Sequence, residues 1–222
     1  MVRFEKVLLT VGLVVTMTGV VRAQHEGHHD AAGIQAALLT NRSVQKELKL
    51  NGAQVENVAS LAKDVAAKGR AAALEFKALP DSERREKMQV LMTAVCAEAM
   101  STLRDVITAE QFKRFDQIVL QQRGIMAFAD VDIQGKLQLT SEQKDRLHGL
   151  AMDLHGQMRS LSQNASAEKM REVHEQGMVL HRKALDQAVA TLTAEQRTTW
   201  TELTGDHFDV KFEGRPATAV AR

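Results

Sequence analysis

One five-residue pattern recurs along the chain and constrains what it can fold into. Ile107-Thr108-Ala109-Glu110-Gln111, Leu139-Thr140-Ser141-Glu142-Gln143 and Leu192-Thr193-Ala194-Glu195-Gln196 share an apolar residue, a threonine and a glutamine three places on. Leu50-Asn51-Gly52-Ala53-Gln54 is a worn copy. A threonine hydroxyl that accepts a first-turn N–H, with the glutamine reaching back to the threonine's own N–H, is a capping box. The preceding apolar residue is placed to staple the incoming chain, and the glutamate puts negative charge at the positive end of the helix dipole. Thr108, Gln111, Thr140, Gln143, Thr193 and Gln196 are therefore helix-capping residues, with Ile107, Leu139 and Leu192 as staples, and the chain has four helix starts of this kind.

Aromatic residues make up only 4% of the chain and there are two prolines, so helix is the expected state throughout. Leu147, Leu150, Ala151, Leu154, Met158 and Leu161 fall at steps of three and four, as do Met88, Met92, Val95, Ala99 and Leu103. The pattern predicts long helices over 53–77, 83–105, 141–161 and 167–191. Leu79-Pro80-Asp81-Ser82 breaks the first two, with Pro80 forcing the turn and Asp81 or Ser82 placed to cap the second helix. The stretch 162–166 breaks the second two. Short breaks make antiparallel neighbours.

The two halves look like copies. Val44 to Gln54 aligns with Ile133 to Gln143 at an offset of 89 residues, and Ile107 to Gln111 aligns with Leu192 to Gln196 at 85. The expected fold is all-α: two tandem helical-hairpin repeats packed on each other as a pseudo-dimer within one chain, flanked by a disordered leader and tail. The boundaries read 1–23 signal peptide, 24–35 leader, 36–129 repeat one, 130–208 repeat two and 209–222 tail.

Arg3 and Lys6 precede an apolar run from Val7 to Val21, and Val21-Arg22-Ala23 offers small residues at the cleavage positions. The run is shorter than the roughly 20 residues a spanning helix needs, so export with cleavage is expected and no membrane span is retained. That makes the protein periplasmic or secreted. Loss of Arg3, Lys6, Arg22 and Glu5 takes the count from 29 basic and 28 acidic residues to 26 and 27, a net charge of −1. Such a balance gives no electrostatic case for nucleic acid. Cys96 is the sole cysteine, so no intrachain disulfide forms, and its helical setting reads as a small buried hydrophobe.

No catalytic constellation is present: no Gly-rich phosphate loop, no HExxH, no CxxC and no tyrosine. The expectation is a protein that is not an enzyme and has no resident cofactor, with a transition metal as the one alternative. His25, His28 and His29 in the leader are candidate ligands without fixed geometry. His148 and His155 lie seven apart on one predicted helix, and His174 and His181 seven apart on the next. If the hairpin turns at 164.5, His148 with His181 and His155 with His174 sit at equal heights, because both pairs of numbers sum to 329. Two stacked pairs binding zinc, copper or nickel and solvated boundary histidines remain the two readings. The helix methionines likewise read either as core filler or as an adaptable surface.

The signal peptide, capping motifs and helical hairpins together resemble the Spy/CpxP family of periplasmic LTxxQ proteins, on Ile107, Thr108 and Gln111, Leu139, Thr140 and Gln143, and Leu192, Thr193 and Gln196. The spacing of motifs inside a block, 57 and 53 residues, is similar too. The resemblance implies an all-helical cradle that holds unfolded or partly folded envelope proteins without ATP, or that takes part in sensing envelope stress or metals. Three departures stand out: Asn51-Gly52 replaces the Thr of the first motif, two halves are fused in one chain, and the basic bias of a Spy-like cradle is missing. The identity of the partner and the oligomeric state stay open.

Overall fold

The computed structural model describes residues 34–163 and 169–212, and these are all-helical, with no strand among them. Helical residues 34–39 lead into α1 (Arg42–Glu47), α2 (Gly52–Glu75), a 3-10 turn (Phe76–Ala78), α3 (Asp81–Val106) and α4 (Ala109–Arg123). A second 3-10 segment (Gly124–Ala129) opens the next series: α5 (Val131–Lys136), α6 (Ser141–Gln163), α7 (Met170–Ala190) and α8 (Ala194–Thr204). The signal peptide, the leader histidines His25, His28 and His29, and the end of the tail lie outside the described residues.

Each cap of the repeated motif forms. Thr108, Thr140 and Thr193 accept the N–H of Gln111, Gln143 and Gln196, and each glutamine Oε1 accepts the N–H of its threonine at 2.9–3.1 Å. The worn copy is fully functional: Asn51 Oδ1 accepts from Gln54 N at 2.9 Å and Gln54 Oε1 accepts from Asn51 N at 3.0 Å. A short amide side chain caps as well as a hydroxyl, so losing the threonine costs the helix little. The staples Ile107, Leu139 and Leu192 are buried. At α3 the expectation fails, because Pro80 itself takes the N-cap position and neither Asp81 nor Ser82 caps the helix. The proline lacks an N–H and its fixed φ starts the helix unaided.

The repeat extends to individual hydrogen bonds at the offset of 89. Asn41 caps α1 and Asp130 caps α5, each through a side-chain oxygen accepting from the backbone N–H two residues on. Gln45 Nε2 donates to Leu39 O and Gln134 Nε2 to Phe128 O, both at 2.9 Å. Both short helices end in the same two-bond closure, Leu50 N to Gln45 O with Lys49 N to Lys46 O, and Leu139 N to Gln134 O with Gln138 N to Gly135 O. That closure needs a left-handed residue just past the helix, a place usually given to glycine. Lys49 (φ 51°) and Gln138 (φ 50°) fill it instead.

Among the described residues the buried side chains form two hydrophobic clusters. One joins Leu38, Leu39 and Val44 with Val58, Leu103, Ile107, Phe112, Phe115 and Ile118. The other joins Ile125, Phe128, Ile133 and Leu137 with Leu147, Leu154, Ala188, Leu192 and Trp200, and Phe128 stacks on Trp200 with centroids 4.4 Å apart. The segment 124–129 therefore packs with the second cluster. Its aromatic and aliphatic side chains fill the place that Leu38 and Leu39 fill in the first.

The halves meet where α4 packs on α8. Gln117 Nε2 donates to Glu202 O, and Gln121 Nε2 donates to Thr204 O and Asp206 O. Beyond Gly205 (φ 60°), residues 206–212 run back along the first half. Phe208 and Val210 cover its core, Arg114 Nη1 donates to Asp206 O, and Asn41 Nδ2 and Ser43 Oγ pair with the backbone of Lys211. Residues 209–212, read from sequence as the start of a free tail, are thus bound. Phe208 and Val210 serve the neighbouring half, a use that local sequence does not reveal, while Phe212 stays exposed.

Candidate functional site

The glutamines of the capping motifs do more than cap. Gln54 and Gln111 exchange amide hydrogen bonds, Nε2 of each donating to Oε1 of the other at 2.8 and 3.3 Å, and Gln143 and Gln196 do the same at 2.7 and 3.0 Å. Spare amide hydrogens reach the facing carbonyls, Gln54 to Val106 O, Gln111 to Leu48 O and Gln143 to Thr191 O. Each pair clasps the start of one long helix to the start of the block's last helix. The motifs are joints, and the chemistry of recognition has to be sought elsewhere.

Above each joint a hairpin projects, α2 with α3 and α6 with α7. A hairpin covers its apolar stripe only with its own partner helix, so the seams stay half-buried. In α2 and α3 only Val58, Ala72, Val95 and Leu103 are buried, while Leu74 is 76% and Val90 61% exposed. On the second hairpin Val179 is 67% exposed and Met152 and Met178 are each 55% exposed. Cys96 is half-buried, with burial raising its thiol pKa, so it is inert at neutral pH.

An apolar groove of ≈ 630 Å³ opens on the second block. Its floor is Ile125, Phe128, Leu147 and Leu154, its walls carry Met126, Met152 and Met158, and His148, His155 and His181 stand along it beside Lys144 and Asp145. Three of the four candidate histidines of this hairpin therefore face one groove, while His174 stands outside it, exposed. Met126, Ile125 and Phe128 carry no local sign of this role. The 89-residue offset places Phe128 on Leu39, which was the available signal.

The heights differ from the predicted pairing. A Cβ at Gly177 would lie 3.0 Å from Met158 Cε, so residues 158 and 177 are level and equal heights sum to about 335. The cleft lined by Asp153, Leu154 and Gln157 from α6 and by Leu180, Lys183 and Ala184 from α7 has the same register. The reason is that α6 continues to Gln163 and α7 starts only at Met170, which moves the turn later. His181 is level with Leu154 and His155, and His148 lies two turns nearer the joint. The pairs His148 with His181 and His155 with His174 do not form. Partial burial lowers the pKa of His181, which favours its neutral imidazole.

Among the described residues no three His, Cys, Asp or Glu side chains gather closely enough to hold a metal ion. A second cleft, of ≈ 430 Å³, lies where the halves meet, and Arg104, Lys113, Lys136, Asp116 and Glu202 are among its lining residues. Burial raises the pKa of Asp116 against the opposing pull of Arg104 and Lys136, and Arg104 lies over the Phe112 ring at 3.8 Å. The cleft's lining carries three basic and two acidic side chains. No helix of the described residues is long and apolar enough to cross a membrane. No protein-family model matches the sequence, and neither the curated proteins nor the solved structures contain a match.

Proposed function

We propose that the chain is an exported, non-enzymatic, ATP-independent chaperone or envelope-stress adaptor, built as an intrachain pseudo-dimer of two hairpin repeats and similar in kind to Spy/CpxP proteins. The observation that carries this reading is the open apolar groove walled by three methionines. Unbranched thioether side chains re-pack around differently shaped apolar segments, which is what a surface for unfolded clients requires. Contiguous exposed apolar surface on a monomer marks interaction sites. With a net charge of −1 after cleavage, capture relies on apolar contact and not on electrostatic steering.

The test is suppression of aggregation of reduced insulin at one chaperone per client. Protection is expected, and Met152→Glu with Val179→Glu should weaken it while the helical circular dichroism is unchanged. Absence of protection by the wild-type protein at that ratio sinks the reading.

A further inference from the structure

The second hairpin carries a donor set that the first lacks. On α6, Met152 and Met158 stand three residues either side of His155, the spacing that puts neighbours on one helix face. On α7, His181 is level with His155 and follows Gly177 by four residues, hence on the same face as that glycine. Gly177 is where the Met158 thioether lies: its Sδ is 3.5 Å from the position a Cβ would take there. Met158 sulfur is thus held across the helix pair, one turn from His181 and one turn from His155. All four side chains line the same groove. His148 is seven residues, about 10 Å, down the axis from His155 and cannot share an ion with it.

The equivalent contact in the first hairpin makes the difference plain. There the glycine is on the first helix and the methionine on the second, Gly69 against Met92 Sδ at 3.5 Å. By the offsets of 89 and 85 these are the positions of Met158 and Gly177, with the two residues exchanged. The counterparts of His155 and Met152 are Ala66 and Lys63, and that of His181 is Cys96. Only the second block brings imidazoles and thioethers together.

We propose that His155, His181 and Met158, with Met152 closing the fourth side, form a binding site for a soft monovalent d10 cation, Cu(I) or Ag(I). Thioether sulfur selects such ions, and imidazole nitrogen binds them as well. Divalent zinc and nickel compete poorly, because no carboxylate or thiolate joins the set and no three His, Cys, Asp or Glu groups meet among the described residues. Helix α6 fixes three of the donors and α7 the fourth, so binding pins the hairpin at mid-height. The site lies in the groove assigned above to client capture, and metal titration reads it whether or not the protein suppresses aggregation.

The experiment is anaerobic titration of the purified full chain with Cu(I) against a chromophoric chelator, and with Ag(I) by calorimetry. A His25→Gln, His28→Gln, His29→Gln background removes the leader as a rival. One equivalent is expected, with affinity lowered at least about tenfold by His155→Gln, His181→Gln or Met158→Leu and unchanged by His148→Gln or His174→Gln. Methyl-labelled methionine in the unsubstituted protein gives a readout that needs no mutant: Ag(I) should shift the Met158 and Met152 methyl resonances, with Met92 unmoved. The proposal is overturned if the leader-free protein yields its Cu(I) to the chelator, if His148→Gln weakens binding as much as His181→Gln, or if Ag(I) leaves the Met158 methyl in place.

Discussion

The glutamine clasp of the second block gives the sharpest prediction. Gln196→Ala removes three good hydrogen bonds: the one accepted from Thr193 N at 2.9 Å and the two exchanged with Gln143 at 2.7 and 3.0 Å. At about 1 kcal/mol each in a partly buried setting, the loss is about 2–3 kcal/mol. Thr193→Ala removes one cap bond, Gln196 N to Thr193 Oγ1, and should cost about 1 kcal/mol. If the glutamine only capped its own helix, the two substitutions would cost about the same. Because the exchanged pair is lost in either single mutant, Gln143→Ala and Gln196→Ala should be non-additive. The double mutant should fall short of the sum by about 1–2 kcal/mol, although the residues are 53 apart in sequence. Trp200 is the sole tryptophan and lies in the second core, so urea unfolding monitored by its fluorescence reports this block. Additivity within about 0.5 kcal/mol would refute the clasp as an energetic unit.

Lys49→Gly and Gln138→Gly should each raise stability, by about 1 kcal/mol, because glycine takes the left-handed conformation without the Cβ penalty; a lowered urea midpoint would contradict this. Gly205→Ala should destabilise more than Gly124→Ala. Both have positive φ, but a Cβ at Gly205 would also clash with the Gln117 side chain, whereas the space at Gly124 is open; paired thermal melts decide it. Asp130 and Asp116 should respond to acid in opposite senses. Burial works to raise the Asp130 carboxyl, but the Arg123 hydrogen bond and charge, with the N–H groups of Asp132 and Ile133, outweigh it and hold the folded pKa down. Its contribution is present above the ordinary carboxylate pKa of about 4 and is lost as pH falls through the lower folded value. The raised folded pKa of Asp116 means it costs stability above that same range, so Asp116→Asn should stabilise at pH 7 and have little effect near pH 3, as melts across pH would show.

Much of this fold was legible because its signals are local. A capping box is read within four residues, and a helix stripe within two turns, so Thr108, Thr140 and Thr193 start helices where their neighbours say they should. What escaped was whatever depends on a partner distant in sequence. Nothing near Gln143 announces that its amide meets Gln196, and nothing near Phe208 announces that its ring belongs to the first core. The histidine heights failed for a smaller reason: they rested on the centre of one turn, and a shift of a few residues in a helix end moves every opposite number by a full turn. The groove shows the same division. Its α6 side was visible as a stripe, whereas Met126 and Phe128 enter it from a segment distant in sequence from that helix.

The returning strap bears on how such a molecule is made. Synthesis delivers the first block early, with Leu38, Val44 and Phe115 available to collapse at once, yet Phe208 and Val210, which cover that core, come from the end of the described chain. The hydrogen bonds that hold them, Asn41 to Lys211 and Lys211 to Ser43, span 170 and 168 residues. Closing contacts over such separations is slow compared with forming a helical hairpin. A nascent first half therefore waits with one side open until nearly all of the chain has emerged, and the oldest part of the molecule is finished last.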